Sequence, residues 1–227
     1  MKKFYVLLIV IISIGVICSC NNSILSDEPE PPLAVNYQKL NLYVGDTITI
    51  KTNKKLSEVN ISSQDNYYAS VDNAGLVTAN KVGKTTIQVS SIKNREYLTI
   101  PVEVKSTYSL IPDLEEYLGK DISSLFSIFG KHDRADYLED YYFYAYIDRG
   151  KYMIDFAFLT EYTEGKDIIV GIFVYVPITY LKQIGTHMID RYYCYEVLND
   201  EFYFTNHDNN VDIQMSVNYD YVMITYM

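Results

Sequence analysis

Leu42-Tyr-Val-Gly-Asp-Thr47 and Ala69-Ser-Val-Asp-Asn-Ala-Gly-Leu-Val-Thr-Ala79 decide the fold of the first half of this chain. In both stretches apolar residues alternate with polar ones around a tight turn. Leu42 and Val44 precede Gly45-Asp46. Val71 precedes Asp72-Asn73-Ala74-Gly75, and Val77 and Ala79 follow it. Period two marks a half-buried strand, and glycine supplies the positive φ that tight turns need. The pattern continues outward through Leu40, Thr47 to Ile50, Thr85 to Ser90 and Leu98 to Val104, with a turn near Gly83. Short strands separated by turns at about ten-residue spacing predict an all-β sandwich.

The order of these signals carries a family resemblance. Leu42-x-Val44-Gly45-Asp46-Thr47 is followed by Ser62-Ser63-x-Asp65, by Ala69-x-Val71-Asp72-x-x-Gly75-x-Val77-Thr78-Ala79, and by Gly83-x-x-x-Ile87-x-Val89. This succession resembles the bacterial immunoglobulin-like domain of group 2 and places it at residues 33–105. Ile61 stands where that family usually has Trp, which changes core packing and leaves the fold intact. The resemblance implies a domain without a catalytic centre, used as a spacer or an adhesive module.

Ahead of it, Lys2 and Lys3 open a run from Phe4 to Ile17 that is apolar except for Ser13 and Gly15. The run is too short for a membrane span and fits a signal-peptide core over residues 1–19. Ile17-Cys18-Ser19-Cys20 resembles a lipobox, which implies that Cys20 receives the lipid and becomes the mature N-terminus. Several acyl chains on that residue would hold a protein stably to a membrane. Residues 20–32 are polar, acidic and Pro-rich, so they read as an extended tether. Asp27, Glu28 and Glu30 loosely resemble a surface-export signal. The expected location is the cell envelope, lipid-anchored, at the outer membrane on its periplasmic or exposed face.

Residues 106–227 read as an α+β domain, with helices packed on antiparallel sheet. Helices are expected over Pro112 to Leu118, from an Asp121 cap through Ile122, Leu125, Phe126 and Phe129 to Gly130, and over Ile178 to Asp190. Strands are expected over Tyr141 to Ile147, Tyr152 to Leu159 and Ile168 to Val176. Four more follow over Tyr193 to Leu198, Glu201 to Thr205, Val211 to Tyr219 and Tyr221 to Tyr226. Helix then strands, twice, reads as a tandem repeat. Gly119-Lys120-Asp121-Ile122-x-x-Leu125-Phe126-x-x-Phe129-Gly130 resembles the start of the β-lactamase-inhibitor-protein-like repeat, which implies a helix-backed sheet that binds partners. An α+β domain of unrelated topology is the alternative.

Charge and chemistry narrow the function. Residues 33–105 hold nine Lys/Arg against six Asp/Glu, whereas 106–227 hold eight against twenty. No basic cluster exists, so nucleic acid and anionic headgroups are poor partners. Apart from the lipid-bearing Cys20, Cys194 is the lone cysteine after the leader, and it reads as a buried strand residue. His132, His187 and His207 lie at no metal-ligand spacing, and His187 is expected half-exposed on its helix. No catalytic motif occurs, and no cofactor or metal is expected. Asp208-Asn209-Asn210-Val211-Asp212 reads as a hairpin turn, and Asp133, Asp136, Glu139 and Asp140 as a solvated loop.

Of the 24 tyrosines, 18 fall after residue 105. Tyr142, Tyr144 and Tyr146 share one strand face, and with Tyr203, Tyr219 and Tyr221 they form the candidate binding face, because tyrosine buries a ring and keeps a polar tip. The resulting expectation is a non-enzymatic lipoprotein whose Ig-like stalk presents a binding domain to a protein or glycan, in an unassigned oligomeric state. An inhibitor that enters an enzyme's cleft and a secreted polymer hydrolase are the alternatives.

Overall fold

The computed structural model describes residues 30–108, 110–138, 141–149, 153–208 and 210–227. The leader over 1–19, Cys20 and the tether up to residue 29 lie outside the described residues. Leu33 to Met227 forms one compact unit.

Its first part is a sandwich of two sheets. Strands β1 (Leu40–Tyr43), β7 (Tyr97–Lys105), β6 (Gly83–Ser91) and β3 (Val59–Ser63) form one sheet in that order. Strands β2 (Thr47–Thr49), β5 (Leu76–Ala79) and β4 (Ala69–Val71) form the other. β1 runs parallel to β7, and the remaining pairs are antiparallel. The alternating residues Leu40, Leu42, Val77, Ala79, Ile87, Val89, Ile100, Val102 and Val104 all point into one core. Ile61 packs against the same core from its margin. Gly75 sits at φ +80°, and a Cβ there would meet the Ile50 carbonyl oxygen at 2.6 Å, so this turn requires glycine. β3 is the strand that the alternation did not mark.

The second part is a single antiparallel sheet of eight strands. Its members are β8 (Arg134–Leu138), β9 (Tyr141–Arg149), β10 (Ile154–Thr163), β11 (Lys166–Pro177), β12 (Tyr193–Leu198), β13 (Glu201–Thr205), β14 (Asp212–Val217) and β15 (Tyr221–Tyr226). The order across the sheet is β12-β13-β14-β15-β11-β10-β9-β8. Each half is thus a four-strand meander, and the two meet through their last strands, from Ile172↔Tyr226 to Pro177↔Tyr221. A helical segment precedes each half. The first is a 3-10 turn (Ile122–Leu125) running into α1 (Phe126–Phe129); the second is a 3-10 turn (Ile178–Tyr180) running into α2 (Leu181–Arg191). The Asp121 side chain accepts from the Ser123 amide at 2.9 Å, and Gly130 at φ +73° ends the segment.

Strand outweighs helix here more than the sequence indicated. The helix expected over Pro112 to Leu118 is reduced to a 3-10 turn at Glu115–Tyr117. The expected acidic loop contains a strand instead: Ala135 and Tyr137 alternate with Arg134 and Asp136 in β8, and Arg134 pairs with Asp136 at 2.5 Å. Glu139 and Asp140, and the expected strand start at Tyr152, lie outside the described residues. Both helical segments cover the same sheet face. Ile122, Leu125, Ile184 and Met188 are buried there with Phe156, Phe158, Ile172, Val174, Ile213, Ile224 and Tyr226. Phe129 reaches the rings of Phe156 at 4.8 Å and Tyr146 at 5.3 Å.

The two parts are joined at the end of α2. A helix leaves its last four carbonyls without intrahelical donors. Here the sandwich supplies them. Lys81 Nζ donates to the Ile189 carbonyl and, at 3.0 Å, to that of Tyr192. The Val82 amide donates to Asp190 at 2.8 Å, and the Tyr67 hydroxyl to Arg191 at 2.7 Å. Ser106 Oγ donates to the Asp190 carboxylate at 2.6 Å. A cation at a helix C-terminus also meets the negative end of its dipole. Lys81→Ala leaves two carbonyls short of a donor and should cost about 1–2 kcal/mol. Calorimetry should then resolve separate melting of sandwich and sheet where the native chain melts in one transition.

Candidate binding surface

Residues directly opposite in antiparallel strands lie on the same face. Tracing the register divides the eight-stranded sheet cleanly. Tyr142, Tyr144 and Tyr146 face Thr160, Phe158 and Phe156 on the helix-covered side. The other side runs from Phe143 through Leu159, Ala157 and Phe173 to Tyr175 and Met223, then to Gln214, Tyr203 and Tyr221. Phe143, Leu159, Phe173, Tyr175 and Met223 are half-buried, and none of them belongs to the core on the helix-covered side. Tyr175 and Tyr221 approach at 5.7 Å, and Tyr195 and Tyr203 at 6.4 Å. The result is an open apolar floor with tyrosines toward one end. Carboxylates on the same side are Asp136, Asp155, Glu161, Glu196, Glu201 and Asp212. Large uncovered apolar areas on a soluble domain mark interaction sites.

The candidate tyrosines are therefore not one surface. Tyr146 is fully buried and belongs to the core. Tyr144 is half-buried, and its hydroxyl donates to Asp167 at 2.9 Å. Burial first, and that carboxylate second, push its pKa up to about 12. Tyr142 lies beside Tyr137 at the margin of the covered face. Tyr203 and Tyr221 are on the open face, and Tyr219 is wholly exposed in the turn between β14 and β15. Tyr203 donates to Glu201 at 2.6 Å. The residues that sequence reasoning missed are Phe143, Leu159, Phe173, Tyr175 and Met223. Their signal was the second phase of each period-two strand, which the apolar run of β11 conceals.

A second concavity lies where sandwich and sheet meet, with a volume of about 370 Å³. Tyr67, Tyr68, Glu115, Arg191, His207 and Asp208 line it. His207 stacks on Tyr67 at 4.2 Å and hydrogen-bonds Asp65 at 2.8 Å. Arg191 pairs with Asp113 at 2.8 Å. Burial raises the Glu115 carboxyl above the usual range, and Asp113 adds to the shift. Burial also pushes Tyr67 up to about 12, so it stays a donor to α2. Among the described residues no group of His, Cys, Asp and Glu is placed to hold a metal.

His187 is fully buried, where the sequence reading expected it half-exposed. Neither ring nitrogen makes a well-formed hydrogen bond among the described residues. Burial holds its pKa down at about 3; the Arg191 charge adds to this, while Asp113 and the Tyr108 backbone oppose it. Cys194 lies in strand β12 as expected, but it is half-buried where burial was expected. Asn206 and Asn210 bond each other across the β13–β14 turn at 2.6 Å; Asn209, between them, lies outside the described residues.

The seven strands of the first part define an immunoglobulin-like sandwich. Residues 35–99 match the family model of the bacterial Ig-like domain (group 2), and this segment is such a domain. No curated protein matches the chain. Among solved structures, domains 4 and 5 of the S-layer protein SbsC are 25% identical over 33% of this chain and 51% of that one, with a TM-score of 0.27. Domains 5-6 of SbsC are 16% identical over 87% and 83%, with a TM-score of 0.28. Extracellular cadherin domains 1-4 of protocadherin gamma B7 are 7% identical over 87% and 49%, with a TM-score of 0.27. The chain spans about half the length of the first of these, and TM-scores this low leave the fold to rest on its own strands. Among the described residues no helix is long and apolar enough to cross a membrane.

His187 should make stability pH-dependent in a defined direction. Its pKa is lower folded than unfolded, so its contribution is complete above about pH 6.5 and is lost as pH falls toward 3. Between pH 7 and 5 the native chain should lose about 2 kcal/mol more than His187→Met, read from urea midpoints at the two pH values.

Proposed function

We propose that this chain is a non-enzymatic envelope lipoprotein, anchored through Cys20, whose Ig-like domain carries a C-terminal binding domain for a protein or glycan. The observation that carries the reading is the open face of the eight-stranded sheet. It carries Phe143, Leu159, Phe173, Tyr175 and Met223, each half-buried and outside the helix-side core, with tyrosines beside them. Aromatic rings suit both protein anchors and sugar faces, and tyrosine adds a hydrogen bond at its tip. The leader and the lipobox-like Cys20 support the envelope location. The Ig-like domain is consistent with a structural role at the cell surface. Its docking on α2 makes it a rigid mount for the sheet.

A second reading is an inhibitor whose sheet enters an enzyme's cleft. It draws on the repeated order of helical segment and four strands, joined at β11 and β15. A hydrolase would place its acid at Glu115, in the cavity beside Tyr67.

Screening residues 21–227 against arrays of envelope glycans and proteins tests the main reading. Phe173→Ala and Tyr175→Ala should weaken the hit by about tenfold each, with unchanged melting. The absence of any hit, or a hit indifferent to both substitutions, overturns it. In cells, Cys20→Ala should abolish labelling by radioactive palmitate and release the chain from the membrane fraction.

A further inference from the structure

A different surface lies at the β12 edge, on the helix side of the sheet. β12 pairs with β13 and, among the described residues, has no strand on its other side. Edge strands present unpaired N–H and C=O groups, and proteins usually blunt them with charge or cover. The far edge, β8, carries the Arg134–Asp136 pair. β12 has Tyr195, Val197 and Leu198 each at least half exposed, at 50%, 55% and 50%. A bulge between Cys194 and Glu196 twists its first half and leaves Glu196 to Leu198 as the pairing stretch.

Beside this edge runs an apolar groove of about 640 Å³. Leu181, Gly185 and Ile189 of α2 form one wall, one helical turn apart, and Val197, Phe202 and Met215 form the floor. Gly185 is central: a Cβ there would meet nothing within 4 Å. In the first half of the domain, Phe129 fills the space between helix and sheet. The second half leaves it open.

Charge selects the occupant. Glu196 and Glu201 lie on the opposite side of the sheet from the groove. Lys182 and Asp200 are the charged residues that line the groove itself. An added strand sends alternate side chains to opposite faces. Its apolar residues would enter the groove, and the residues between them would meet Glu196 and Leu198, with Glu201 one strand further in. A second copy fits badly, because β12 (Tyr193–Leu198) holds no Lys or Arg to set against Glu196.

We infer that the β12 edge and the groove beside α2 bind an extended segment of a partner protein, apolar at alternate positions and lysine- or arginine-bearing between them, as an added strand. The probe is a fluorescein-labelled seven-residue peptide of alternating lysine and valine, titrated into residues 21–227 by anisotropy. Alternating lysine and serine is its charge-matched control. The valine peptide should bind, and Gly185→Leu and Glu196→Lys should each weaken it by about tenfold. Gly185→Ala and Phe173→Ala should not, which separates this surface from the open face. Circular dichroism checks the fold of each variant, and Glu196→Lys reads the edge independently if Gly185→Leu unfolds. Equal binding of the serine peptide, native affinity in Glu196→Lys or in a folded Gly185→Leu, or a dimer of the free chain that Val197→Lys dissociates would each overturn the inference.

Discussion

The carbonyls of Ile189, Asp190 and Arg191 at the end of α2, and of Tyr192 just past it, are the constraint on which the rest of this molecule depends. A helix end inside a protein must find donors, since unpaired backbone groups are costly. α2 finds them on another domain: Lys81, Val82 and Tyr67 reach Ile189, Asp190, Arg191 and Tyr192. Burial disfavours the Lys81 charge, and the helix end and Asp190 offset that cost. Because α2 also buries Ile184 and Met188 in the sheet's core, fixing its end fixes the whole sheet relative to the sandwich. The Ig-like domain is therefore part of the sheet's foundation as well as a spacer.

The sheet's symmetry follows from its last strands. Two meanders that each end on a strongly apolar strand, β11 and β15, bury those strands best against each other. Both helical segments then fall on one face, because each follows the same turn order. One face is consumed as core. The other is left apolar without a cover, which is how an otherwise structural arrangement yields a binding surface.

The sandwich was legible from residue order. Gly45, Asp72 and Gly75 mark turns, and the alternation of Leu40, Leu42, Val77, Ala79, Ile87 and Val89 marks the core face. The second domain was harder for physical reasons. β11 carries apolar residues on both faces, with Ile172, Val174 and Val176 buried and Phe173 and Tyr175 half-buried, so its hydrophobicity has no period. β8 was hidden because short edge strands tolerate charge, as Arg134 and Asp136 show. Tyr142, Tyr144 and Tyr146 were correctly placed on one side of a strand. Period two names two faces and does not say which one meets a helix.

Local interactions explain the division. Turn chemistry, capping by Asp121 and strand alternation act over a few residues, so the sequence by itself determined the sandwich, the helical segments and most strands. The burial of His187 and Tyr146, the α2 docking site, and the open Phe173–Tyr175 face arise from contacts between residues up to 124 positions apart. Only tertiary structure decides those, because the free energy of a face depends on what the rest of the chain lays over it.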